Sequence, residues 1–244
     1  MSCYNHNLSA IYFGEDIEIN SKISIRQPTL KEIALFGEED YFSLVNLLTA
    51  TPFDLIAQLD DIGIDFTEIS CFDLFCIIAS SLSVEKTRIL FGDNIDFTRM
   101  RVCKNTADGE ICLSDPTRKI IINQYTQTLL ANTIRQVHGL KKNQFTRVKD
   151  EFTRKAMIRN AREKLMIQKM KPQESVLQPL ISFCVNAGGL GCDFFSIQQV
   201  PIGAFMDSIK RLQIIKSIDN MFSYSGAVDL SKVKTKDLDY LRII

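Results

Sequence analysis

QFTRVKDEFTRKAMIRNAREKLMIQKMK, residues 144–171, holds neither Gly nor Pro and is dominated by Lys, Arg, Ala, Met and Leu. That composition predicts one long helix, which Pro172 ends. Its apolar residues fall on two narrow seams. Ile158, Ala161 and Leu165 share one, and Phe152, Ala156, Met166 and Met170 share another, with cationic faces between them. A helix of this kind is expected to project or bridge rather than lie in a core.

Charge separates around this helix. Residues 135–171 carry twelve Lys and Arg against Asp150, Glu151 and Glu163, a balance of +9. Residues 1–75 carry thirteen carboxylates against Lys22, Arg26 and Lys31, a balance of −10, although the whole chain nets to zero. Fields of this size reach about 8–10 Å in physiological salt and govern what approaches each part. Two readings follow: the halves neutralise each other within one fold, or each meets a partner.

The front third reads as short capped helices after an early strand. Ile17, Ile19, Ile23 and Ile25 fall at period two and predict a strand over about 17–25, stopped by Pro28. Thr29 with Glu32 is a capping box, and Gly37 interrupts the helix it opens. Tyr41, Phe42, Val45, Leu47 and Leu48 mark a second helix. Thr51-Pro52-Phe53-Asp54 supplies an N-cap, an N1 proline and an N3 carboxylate for a third, which should stop near Gly63. Ser70 with Asp73 opens a fourth, running to about Leu82. Carboxylates in first turns complement the helix dipole, so part of the acidity is local. Glu38, Glu39, Asp60 and Asp61 need another account.

In the middle, Phe97–Cys103 and Glu110–Leu113 read as strands flanking the turn at 105–109, where Asp108-Gly109 supplies positive φ. Ile120–Ile122 either closes this ribbon or starts the next helix. Asn123 caps a helix to about Val137, ended by Gly139. Towards the end, Val176–Ala187 is an apolar segment closed by Gly188-Gly189. A helix from about Ile202 to Phe222 should turn Ile209, Leu212, Ile215 and Met221 inward. Leu238, Tyr240, Leu241, Ile243 and Ile244 form an apolar tail expected to dock. The predicted class is α+β, predominantly α-helical, with a small antiparallel β-ribbon in the middle and a long basic helix. It divides into an acidic helical region (1–92), ribbon plus helix (93–140), basic helix (141–172) and C-terminal helical region (173–244).

Several classes are disfavoured. The longest apolar stretches, such as Leu74–Leu82, are too short to span a bilayer, so no membrane role is expected. Met1–Ala10 lacks a basic start followed by an apolar run, so the expected compartment is the cytoplasm. Seven cysteines without a CxxC pair predict reduced, mostly buried thiols rather than a zinc site. His6 and His138 are the only histidines. The first lies near the chain start and the second at a helix end, where a cation suits the dipole. Gly188, Gly189 and Gly191 lack the Gly-Lys-Ser/Thr of a phosphate loop and read as a helix-ending turn. No enzyme and no cofactor is expected.

The basic segment is the candidate partner-binding element, through Arg147, Lys149, Arg154, Lys155, Arg159, Arg162, Lys164 and Lys169. Nucleic acid is one candidate partner, since Lys and Arg contacts to phosphates drive sequence-independent binding. With only Phe145 and Phe152 interleaved, stacking on single strands is poorly served, and an acidic protein helix is favoured. Phe36, Phe42, Phe53, Phe66, Phe72 and Phe75 are candidates for an apolar groove between the capped helices, with a plain core role as the alternative.

A resemblance covers most of the chain. Gln27-Pro28-Thr29-Leu30-Lys31-Glu32-Ile33, Phe36-Gly37-Glu38-Glu39 and Gln58-Leu59-Asp60-Asp61-Ile62-Gly63-Ile64-Asp65 resemble proteins of tailed phages and prophages of Gram-positive bacteria. So do the segments Ile134–Asn143, Leu177–Ser182, Lys210–Lys216 and Tyr224–Asp229. Within phage structural clusters the chain looks most like the tail assembly chaperones, although it is long for that group. The resemblance implies a soluble, helical protein of the host cytoplasm. Such a protein coats the amphipathic helices of the tape-measure protein until tail-tube subunits replace it, and a homo-oligomer fits that role. A virion component, such as a tail or connector subunit, is the alternative, and a nucleic-acid binder using 135–171 the second.

Overall fold

The computed structural model describes residues 8–104, 109–143, 148, 150–172, 174–223, 233–234 and 237–241. A short first helix, α1 (Leu8–Phe13), precedes the period-two isoleucines. These form a hairpin rather than one strand: β1 (Ile17–Asn20) pairs antiparallel with β2 (Ile23–Ile25), Ile17 opposite Ile25. Asn20 closes the turn, its Oδ1 accepting from the backbone N–H groups of Lys22 and Ile23 at 2.9 Å each. An asparagine at that position stabilises reversal of the chain, which the alternation alone does not reveal.

The capping box at Thr29 is present. Thr29 Oγ1 accepts from Glu32 N at 3.2 Å, and Glu32 Oε2 accepts from Thr29 N at 2.8 Å. It opens α2 (Leu30–Phe36), and Gly37, at φ 105°, ends α2 and begins α3 (Glu38–Thr49). Only glycine adopts that dihedral freely. Thr29→Ala should cost about 1 kcal/mol. Denaturant unfolding checks this, with the midpoint lowered and the slope unchanged.

Thr51 and Asp54 form a second box, but it closes a 3₁₀ turn, Pro52–Asp54, before a short α4 (Ile56–Asp61). Ser70 caps α5 (Cys71–Ala79) as expected, its Oγ accepting from Asp73 N at 3.0 Å. A further helix, α6 (Val84–Phe91), follows, ended by Gly92. The expected strand from Phe97 starts late. Asp96 Oδ1 accepts from Thr98 N at 3.0 Å and draws Phe97–Arg99 into a 3₁₀ turn, so β3 is Arg101–Lys104. It pairs with β4 (Ile111–Asp115), and β5 (Ile120–Ile122) closes a three-stranded antiparallel sheet in the order β3-β4-β5. The turn residues 105–108 lie outside the described residues.

Asn123 caps α7 (Gln124–His138), accepting from Thr126 N at 2.9 Å, and left-handed Gly139 ends it. The basic helix, α8 (Glu151–Met170), has Asp150 as its N-cap, accepting from Thr153 N at 2.7 Å; of the expected start, 144–147 and 149 lie outside the described residues. Then come α9 (Leu177–Asn186), two 3₁₀ turns and α10 (Ile202–Ser223). Gly188, Gly189 and Gly191 lie in the turn after α9. The molecule is thus a predominantly helical α+β fold with two small antiparallel sheets.

One core cluster includes residues from Ala10 to Ile209. Phe97 sits at its centre, with rings of Phe91 at 5.5 Å and Phe75 at 6.0 Å, both edge-on. Front and rear halves are joined by Thr29 bridging Pro201, and by Ile202 N donating to Pro28 O at 2.9 Å. Gly203 is required at this junction: a Cβ there would lie 2.3 Å from Gln27 Oε1. On α10, Ile202, Gly203, Ala204, Phe205, Ile209, Ile214 and Ile218 are buried, whereas Leu212, Ile215 and Met221 are only half-buried. Among the described tail residues, Leu238 is half-buried and Tyr240 makes polar contacts with α10. Arg211 donates to Tyr240 O at 2.5 Å and Tyr240 Oη to Asp219 at 3.1 Å, while Leu241 is exposed. Ile243 and Ile244 lie outside the described residues.

Candidate partner-binding helix

With about 100° between successive residues, α8 presents two opposite faces. Met157, Ile158 and Ala161 on the inner face pack against the core cluster, with half-buried Leu165 beside them. Arg154 donates to Asp65 at 3.0 Å and to Glu151 at 2.8 Å, and Arg162 donates to Asp60 at 2.7 Å and Asp61 at 2.8 Å. Asn143 donates to Asp54 beside this seam. The helix therefore lies against α4 rather than projecting freely, and part of the separated charge closes within the fold.

These contacts have electrostatic consequences. Glu151 and Asp65 hold the Arg154 guanidinium above its ordinary value, chiefly through the hydrogen bonds that Arg154 donates to Glu151. Thr67, more than Arg154, holds Asp65 below the usual carboxylate range. These groups are exposed or partly so, and solvent-screened pairs are individually weak, so the two arginines set register more than stability.

No residue of α8 is buried. Its outer face carries Phe152, Met166, Ile167 and Met170 at 83%, 62%, 55% and 76% exposure. Arg159, Lys164 and Lys169 are exposed around it and make no ion pair among the described residues. Lys155 lies 3.6 Å from Glu151. Arg147 and Lys149 lie outside the described residues.

The phenylalanines divide. Phe66, Phe72 and Phe75 are core, 1%, 5% and 2% exposed, and cannot line a surface groove. Phe36 is half-buried against that core. Phe42 and Phe53 do reach surface depressions flanking α8. One, about 970 Å³, lies between the start of α3 and residues 168–176; the other, about 500 Å³, lies between Phe53 and Ile56 on one side and Met157 and Lys164 on the other.

Glu38 acquires a role that sequence does not show. Glu38 caps α9 from across the fold, accepting from Val176 N, from Leu177 N at 2.8 Å and from Ser175 Oγ at 2.7 Å. A carboxylate there satisfies amide donors that the chain before α9 leaves open.

His138 is not a cation at a helix end. It is buried, with Nδ1 2.7 Å from Ile134 O and Nε2 2.6 Å from Tyr41 Oη. A carbonyl only accepts, so Nδ1 holds the proton and Nε2 accepts from the tyrosine. Burial pushes His138 down to about 4. No group of three His, Cys, Asp or Glu that could hold a metal ion occurs among the described residues. Among the described residues the thiols are less buried than expected: Cys112 and Cys184 are buried, Cys71, Cys76 and Cys192 half-buried and Cys103 exposed, while Cys3 lies outside the described residues. Among the described residues, no helix is long and apolar enough to cross a membrane. Comparison with family models, curated proteins and solved structures returns no match.

Proposed function

We propose that this chain is a non-enzymatic phage morphogenesis protein, a tail assembly chaperone that holds amphipathic helices of the tape-measure protein on the outer face of α8. The observation that carries the reading is the exposed apolar seam of Phe152, Met166, Ile167 and Met170 on a twenty-residue helix whose other face is already docked. A helix laid along it buries that seam, as amphipathic helices do in grooves. Arg159, Lys164 and Lys169 favour acidic flanks on the incoming helix. Arg154 and Arg162 are engaged with Asp65, Asp60 and Asp61, which leaves fewer cations for phosphates and favours a protein over nucleic acid.

Co-expression with tape-measure fragments tests this. At least one fragment should become soluble and co-purify, and Phe152→Ser/Met166→Ser/Met170→Ser should reduce its recovery by about ten-fold or more. If every fragment stays insoluble and nothing co-purifies, the reading fails. A chaperone should also be missing from purified particles by mass spectrometry; a virion subunit would be present.

A further inference from the structure

The outer face of α8 has an internal symmetry. Phe152, Ala156, Arg159, Glu163, Met166 and Met170 recur at intervals of 4, 3, 4, 3 and 4, the spacing of a coiled-coil seam, and that series reads the same in both directions. Reversing the helix about residue 161 places position 152 opposite 170, 156 opposite 166 and 159 opposite 163. Apolar residues then meet apolar ones at both ends, and in the middle a cation meets a carboxylate twice. Parallel pairing instead sets Arg159 against Arg159 and Glu163 against Glu163.

We propose that a second copy of this chain covers the outer face of α8, the two helices lying antiparallel about a two-fold axis beside residue 161. Each α8 lies against its own α4 by the opposite face, so the two bodies fall on opposite sides of the pair. A two-fold interface must be self-complementary, and the Arg159–Glu163 exchange supplies that. The interface is a single helix pair, small by the standard of stable complexes, so the dimer is reversible. As regulation, this rests on the function proposed above: the second copy shields the seam until a client helix displaces it.

Salt separates the two occupants. In the self-pair Lys155 runs beside Lys169 of the second copy, so salt screens this repulsion together with the two Arg159–Glu163 attractions and moves the dimer less than it loosens an acidic client.

Sedimentation of the full chain across about 1–100 μM should show a reversible monomer–dimer equilibrium. Arg159→Glu and Glu163→Arg should each weaken it by about ten-fold or more, and the double exchange should restore it to within about three-fold. Phe152→Cys with Met170→Cys should cross-link on mild oxidation through a 152–170 peptide pair. Phe152→Cys alone should give no 152–152 pair, because the two copies of position 152 are about 27 Å apart along the antiparallel pair. A chain that stays monomeric throughout, a double exchange that fails to restore pairing, or a 152–152 link each overturns the proposal. A monomer that still captures a client helix removes only the self-pair; a dimer that captures none removes only the client.

Discussion

Phe97→Ala is expected to lower stability by about 3–5 kcal/mol, the largest effect of any single truncation proposed. The ring is 1% exposed and stacks edge-on with Phe91 and Phe75, which belong to α6 and α5. Removing it leaves a cavity at the junction of the helices with the start of the sheet, where a 3₁₀ turn fixed by Asp96 limits relaxation. Equilibrium unfolding checks the value. A loss below about 1 kcal/mol would mean that the site collapses around the smaller side chain.

The second large effect is acid loss of stability through His138. Its folded value, about 4, lies below the ordinary 6.5 because burial disfavours the cation. The unfolded chain therefore takes up a proton between about pH 6.5 and 4 while the folded chain does not. Stability from this group is full above pH 6.5 and falls as the pH drops through that window, by about 2 kcal/mol between pH 7 and pH 5. His138→Gln should flatten this part of the profile, and because His6 is unchanged the comparison isolates the buried ring. Tyr41 belongs to the same unit: Tyr41→Phe leaves Nε2 without its donor and should cost about 1–3 kcal/mol.

Local signals carried much of the fold into view. Thr29 with Glu32, Ser70 with Asp73, and Asn123 with Gly139 mark helix ends because a cap is a contact between residues two or three apart, or a single backbone dihedral. What stayed hidden depends on distant partners. The isoleucine alternation runs through the reversal at Asn20 unbroken, so a hairpin and one strand look alike. Glu38 serves a helix 139 residues on, and no spacing rule reaches that far. Asp60, Asp61 and Asp65 find Arg162 and Arg154 for the same reason.

The candidate site was partly legible. The two seams of α8 follow from helical periodicity, and the docked one is the seam of Ile158, Ala161 and Leu165. Which seam would be covered depends on α4 and was not in the pattern. Of the six phenylalanines, Phe66, Phe72 and Phe75 went to the core, since helix faces are assigned by packing rather than by residue type.

Hydrogen exchange of the full chain, alone and with a co-purified tape-measure fragment, tests the central claim most directly: the outer face of α8 receives the client. Added protection should concentrate over 151–170, with the core helices α5 and α7 unchanged, and it should disappear in the Phe152→Ser/Met166→Ser/Met170→Ser variant. Protection confined to other elements, or unchanged by that variant, would contradict it.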